Sequence, residues 1–189
     1  MNKLILASES PRRKELLRKA GVSFSVLPSH IEEKTIKKMP HAIVKDLALQ
    51  KAIAVGKKLK DGIVIGADTI VVYKKHIIGK PKNNNEAIKI LSTLSGTWHS
   101  VYTGIALFEP KTGRLMCSYD VSRVKIRKLT RQEIVGVSGK HLDKAGAYAV
   151  QEVEDAFVEK IVGDYNNVVG LPVKILAKML KGFGVVIKV

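Results

Sequence analysis

The sequence predicts an α/β fold built on a mixed sheet with flanking helices. Three observations carry this. Short β-branched runs, Leu4–Ala7 and Ile63–Tyr73 above all, alternate with amphipathic stretches of helical period. Turn signals at Lys74-Lys75 and Glu109–Gly113 fold some neighbouring runs into hairpins, so the sheet is not purely parallel. The 189 residues, 46% hydrophobic and 26% charged, suit one domain spanning 1–189 with a real core.

Taken in order, Leu4–Ala7 reads as a buried strand. Ser10 then has the chemistry of a helix N-cap, and Pro11 sits at the first helical position, where its missing N–H does no harm. Leu16, Leu17 and Ala20 make an apolar stripe, and Gly21 is a stop. Phe24–Leu27 is a short strand and Pro28–Pro40 a polar loop. A second helix covers His41–Val55, with Gly56 near its end and a turn at Asp61-Gly62. Ile63–Tyr73 is the strongest strand, interrupted only by Asp68-Thr69, and Lys74-Lys75 returns it into Ile77-Ile78.

Asn83, Asn84 and Asn85 offer caps for a helix through Ile88, Leu91 and Leu94, closed near Gly96. Trp98–Phe108 is a strand, and Leu115–Leu129 is one long strand or two. In the latter Arg123, Lys125 and Arg127 alternate with Val124 and Ile126, the period of a half-solvated sheet. Thr130 and Glu133 have capping-box spacing. Tyr148–Val150 and Ala156–Val162 read as extended, Gly163–Pro172 as a constrained loop, Leu171–Leu180 as a helix and Val185–Val189 as a final strand.

Charge and cysteine content narrow the function. There are 33 Lys and Arg against 17 Asp and Glu, a formal net charge of +16 spread along the chain. Such a field attracts phosphate, whether in nucleic acid, lipid or free nucleotide. The single cysteine, Cys117, excludes an internal disulfide and a multi-cysteine zinc site. No apolar run reaches membrane-spanning length, and the N-terminus lacks the layout of a signal peptide, so a cytoplasmic location is expected. With 5% aromatic residues and no helix-turn-helix pattern, stacking on single strands or groove reading has little support.

Several clusters have chemical potential, each with a plain alternative. Ser8-Glu9-Ser10-Pro11-Arg12-Arg13 places hydroxyls and guanidinium forks at a helix start, which suits a polyanion. Taken alone, it is also the pattern of a capped helix whose arginines face solvent. Asp68 inside an apolar strand needs a cation, a metal ion or a polar cavity, unless the strand ends early or a lysine pairs with it. Lys51 shares helical spacing with Val44, Leu47, Ala48 and Val55, so it either points at an anion or snorkels off an apolar face. Lys80, between Gly79 and Pro81, suits a turn or a phosphate. Glu32 and Glu33 would be solvated in their loop, yet one of them with Asp68 would make an oxygen site for Mg²⁺. His99 and His141 show no metal-ligand spacing.

Six blocks in order, SESPRR, IGADTIVV, GKP, LSGTWHSVYTG, DKAGAYAVQ and DYNNVVGLP, resemble the Maf proteins, a family of nucleoside triphosphate pyrophosphatases. The resemblance implies a mixed α/β fold in two lobes around a cleft, similar to inosine triphosphate pyrophosphatases. It implies hydrolysis of a nucleoside triphosphate to monophosphate and pyrophosphate with Mg²⁺ or another divalent cation, and commonly a homodimer. The acidic active-site residue falls on Asp68, which is catalytic and a metal ligand together with Glu33. Phosphate-handling residues fall on Ser8, Arg13, Lys51 and Lys80. Arg12, Thr69 and Gln151 agree with the subgroup that prefers dTTP and UTP. Asp164 stands where the family usually has serine, and its charge is expected to point outward. The rival readings are a basic nucleic-acid-binding module and a slow nucleotide-sensing regulator of cell division.

Overall fold

The computed structural model describes residues 3–141, 145–147 and 157–187. Among them are seven strands and six helices: β1 (Leu4–Leu6), α1 (Pro11–Lys19), β2 (Phe24–Val26), α2 (Pro40–Gly56), β3 (Ile63–Tyr73), β4 (His76–Ile78), α3 (Asn84–Leu94), β5 (Trp98–Glu109), β6 (Arg114–Ile126), α4 (Arg131–Val137), β7 (Val158–Val162), α5 (Tyr165–Val169) and α6 (Val173–Gly182). The strands form a seven-stranded sheet in the order β2-β1-β3-β5-β6-β7, with β4 paired to β3. It is mixed, as the hairpin signals require: β1 runs parallel to β2 and β3, whereas β3–β4 and β6–β7 are antiparallel.

The chain divides into two compact units, 1–68 with 103–120 and 170–189, and 69–102 with 121–169. In the first, Ile5, Ala7, Ala48, Ala52, Val55, Val64 and Ala106 form a core of small and branched side chains. Its defining feature is how closely α2 lies on the sheet. A Cβ at Gly66 would collide with the Ala48 carbonyl, and one at Gly104 with the Val44 carbonyl. Two glycines therefore let the backbone of α2 rest directly on β3 and β5.

The second unit has its own core, in which Leu91 and Leu94 of α3 meet Val71, Val101, Val124, Ile126, Ile134 and Phe157. Its local signals are met as written in the sequence. Asn83 caps α3 by accepting from the Glu86 N–H at 3.0 Å. Thr130 and Glu133 close a full capping box, and Glu133 also takes the Arg127 fork. The hydrogen bonds from Arg127 and from Thr130 hold the Glu133 carboxyl down at about 2. Lys74 and Lys75 both take the left-handed conformation, with φ of 47° and 70°, that a two-residue hairpin demands.

Three expectations need correction. Val185, Val186 and Ile187 form no strand; after Gly184 turns the chain at φ 73°, Val186 lies 85% exposed. Residues 188–189 lie outside the described residues, as does the extended segment expected at Tyr148–Val150. The Gly163–Pro172 segment is not all loop but contains α5. Asp164 does not point outward: its Oδ1 accepts from the Asn166 N–H at 3.0 Å, capping α5, and Oδ2 is shielded from water. A side chain that satisfies its own helix start has no reason to extend into solvent. In the same segment Asn167 is fully buried and donates to the Val101 carbonyl and to Ser122 Oγ, so that asparagine holds the unit together.

Candidate active site

The polar centre of the first unit is Lys51. It lies on the buried stripe of α2 with Val44, Leu47, Ala48 and Val55, and is only 8% exposed. Its Nζ does not snorkel. It reaches Asp68 Oδ1 at 2.7 Å and Glu33 Oε1 at 2.8 Å. Asp68 is itself 6% exposed, near the middle of β3, so strand and helix bury an acid and a base against each other. Neither charge would be tolerated there alone. Glu33 is the exposed member, 44% at its side chain. Its neighbour Glu32 pairs instead with Lys34 out in solvent, so Glu33 is the glutamate that meets this cluster.

The loop carrying Glu33 is tied down by the residue before Lys51. Gln50 Nε2 donates to the Lys34 carbonyl and to Asp46 Oδ2, both at 2.9 Å. Two consecutive residues of α2 thus hold the loop, one through backbone and one through charge.

The helix start at Ser8–Arg13 brings the second cation. Ser10 Oγ caps α1 by accepting from the Arg13 N–H at 3.5 Å. Ser8 Oγ accepts from the Ser10 N–H at 3.3 Å and from the Arg13 fork at 3.1 Å. Arg13 Nε donates to the Gly170 carbonyl at 2.9 Å. Arg13 is therefore not a solvent-facing arginine. Burial pulls its guanidinium below the ordinary value; Asp68 opposes this, Arg12 adds to it, and Glu33 opposes it. That Arg13 lies within the fields of Asp68, Glu33 and Arg12 places Ser8, Arg12, Arg13, Glu33, Lys51 and Asp68 in one neighbourhood.

Of the remaining residues named from sequence, Thr69 and Lys80 lie in the second unit. Thr69 follows Asp68 on β3 and is half-buried; Lys80 is exposed on the segment between β4 and α3. Gln151 lies outside the described residues. Sequence reasoning missed Gln50 and Gly170. Gln50 could have been noticed as the neighbour of Lys51, but a glycine carbonyl that receives an arginine 157 positions away leaves no local signal.

Among the described residues no three Asp, Glu, His or Cys side chains gather as a metal site. The donor set nevertheless fits Mg²⁺, which takes one or two carboxylates when phosphate and water supply the other oxygens. Asp68 and Glu33, brought to a common point by Lys51, would be that pair.

Over 95% of its length the chain superposes on 98% of the Staphylococcus aureus Ham1 protein, with a TM-score of 0.54 at 14% identity. This defines the class: a protein with the α/β fold of Ham1. The sequence then defines the family. Residues 3–183 match the Maf-like protein family, and the chain belongs to it. It is 48% identical over 182 residues to the dTTP/UTP pyrophosphatase of Elusimicrobium minutum, covering 96% of this chain and 99% of that protein. The dTTP/UTP pyrophosphatase of Aquifex aeolicus is 42% identical over 181 residues, 95% of this chain and 94% of that one. No helix among the described residues is long and apolar enough to cross a membrane.

Proposed function

We propose that the chain is a nucleoside triphosphate pyrophosphatase that hydrolyses dTTP and UTP to the monophosphate and pyrophosphate. The observation that carries this is the buried Lys51 joining Asp68 to Glu33, beside Arg13, in a chain nearly half identical to proteins bearing that name. A buried acid next to cations drawn from separate segments is an arrangement for handling polyphosphate rather than for reinforcing a core.

The chemistry follows from these groups. Ser8 and Arg13, at the start of α1, and Lys51, from α2, offer donors and positive charge to phosphate oxygens. Lys80 is assigned further phosphate charge by the resemblance. A water attacks the α-phosphorus, the bridging P–O bond to the β-phosphate breaks, and pyrophosphate leaves with the electron pair. The Asp68 carboxylate takes the proton released by the water, or serves as the metal ligand. Asp68 and Glu33 would hold Mg²⁺ or a similar ion, which when bound would supply charge neutralisation on the phosphates. The base preference is assigned to Arg12, Thr69 and Gln151. A glutamine amide both donates and accepts, matching the adjacent carbonyl and N–H of a pyrimidine edge. The reading carries with it a cytoplasmic location and a homodimeric state.

The test is pyrophosphate release measured across dTTP, UTP, CTP, GTP and 7-methyl-GTP, with Asp68→Asn beside the parent. We expect release from dTTP and UTP first, and loss of most turnover in Asp68→Asn with nucleotide binding retained. Equal turnover in Asp68→Asn rejects the assignment of Asp68. No release from any triphosphate rejects the activity.

A further inference from the structure

The carboxylates of Asp68 and Glu33 are held together by a cation from the chain itself. Lys51 Nζ draws one oxygen from each, at 2.7 and 2.8 Å. An ammonium is a compact point charge with three donors, and here it occupies the place where two carboxylate oxygens converge. Arg13 adds a second positive charge within the field of both acids. With Arg12 also in the field of Arg13, three cations face two carboxylates, so the cluster carries a formal positive charge and nothing to attract a further dication.

We propose that Lys51 is a resident cation that keeps a free divalent ion out of the Asp68–Glu33 pair, so that the ion enters only together with the triphosphate. This rests on the pyrophosphatase reading and extends it to the order of binding. The incoming phosphates offer Lys51 another anion. Its four-carbon stem lets Nζ move to a phosphate oxygen while its backbone stays fixed on β3 and β5. The carboxylates are then released to the ion that the phosphates bring. Lys51 thus has two successive partners, and the exchange couples metal entry to nucleotide entry. The arrangement also prevents the paired acids from collecting a metal ion when no substrate is present.

The probe is Mn²⁺, followed through the electron paramagnetic resonance signal of the free ion. The nucleotide-free parent should bind it no tighter than the millimolar range, and should take it up when α,β-methylene-UTP is added. Lys51→Met should bind Mn²⁺ without nucleotide roughly tenfold tighter or more, a difference of about 1.4 kcal/mol. Lys51→Arg, which keeps the cation, should exclude it as the parent does. If Lys51→Met does not fold, Lys51→Gln is read by the same criterion. Micromolar Mn²⁺ binding by the nucleotide-free parent, or a neutral variant that binds no tighter than the parent, overturns the proposal. Pyrophosphate release from UTP, assayed on the same preparation, separates the two readings. Turnover with metal already bound to the free enzyme removes the resident-cation role and leaves the pyrophosphatase intact. Absence of turnover removes the pyrophosphatase and, with it, the nucleotide half of this proposal.

Discussion

Replacing Lys51 with methionine keeps most of the side-chain volume on the α2 stripe and removes only the charge. Asp68, 6% exposed on β3, would then lose its ammonium partner. Breaking a buried pair from one side typically costs about 3–5 kcal/mol. Two features place this case at the low end. Glu33, the other partner, is 44% exposed and simply returns to water, and Arg13 continues to favour the Asp68 charge from nearby. We therefore expect about 3 kcal/mol for Lys51→Met, consistent with the low end for a broken buried pair. With a urea slope of about 2 kcal/mol/M, that is a fall of roughly 1.5 M in the unfolding midpoint.

Asp68→Asn alone should cost less, because Lys51 retains Glu33. The double variant should recover about 2 kcal/mol relative to the sum of the singles, since no charge is then left unpaired in the interior. Urea unfolding followed by circular dichroism on the four proteins closes the cycle. Additivity within about 0.5 kcal/mol would show that the two side chains do not depend on each other, and would refute the reasoning.

Two further outcomes follow from the same geometry. His99 is 3% exposed, and burial pushes its imidazole down to about 4, below the usual 6.5. The unfolded chain therefore binds the proton more readily. Stability should be intact above about pH 6.5 and fall as pH drops towards 4, by about 3 kcal/mol in all at ~1.4 kcal/mol for each pH unit crossed. Thermal unfolding across pH 4–7 reads this, and His99→Gln should flatten that part of the profile. Gly66→Ala should destabilise by about 1–3 kcal/mol or more, because the new methyl meets the Ala48 carbonyl and α2 must lift. It should also lower pyrophosphate release, since α2 carries Lys51. An alanine variant of parental stability and turnover would show that the close approach of helix to sheet is not required.

Much of this architecture is written in local patterns. The capped start of α1 at Ser10-Pro11, the caps of α3 and α4, the Lys74-Lys75 hairpin and the span of β3 all depend on neighbours within a few residues, and each forms where the pattern puts it. What fails depends on context. Val185, Val186 and Ile187 have strand chemistry but form no strand. Asp164 is a charge that residue type alone would keep in water, but the start of α5 gives its carboxylate an N–H to accept from.

Residue type and order alone establish most of the element types, the family and the set of residues worth suspecting, because these are properties of the chain. They left Lys51, Asp68 and the Glu32-Glu33 pair each with a bland alternative. Only tertiary structure decided among these, by resting α2 directly on the glycines of β3 and β5 and so pressing one buried lysine against one buried aspartate. The choice of Glu33 over Glu32, and the reach of Arg13 to the Gly170 carbonyl, were decided there as well. The physical reason is that desolvation and ion pairing depend on distances between residues far apart in the chain, and local spacing does not encode those distances.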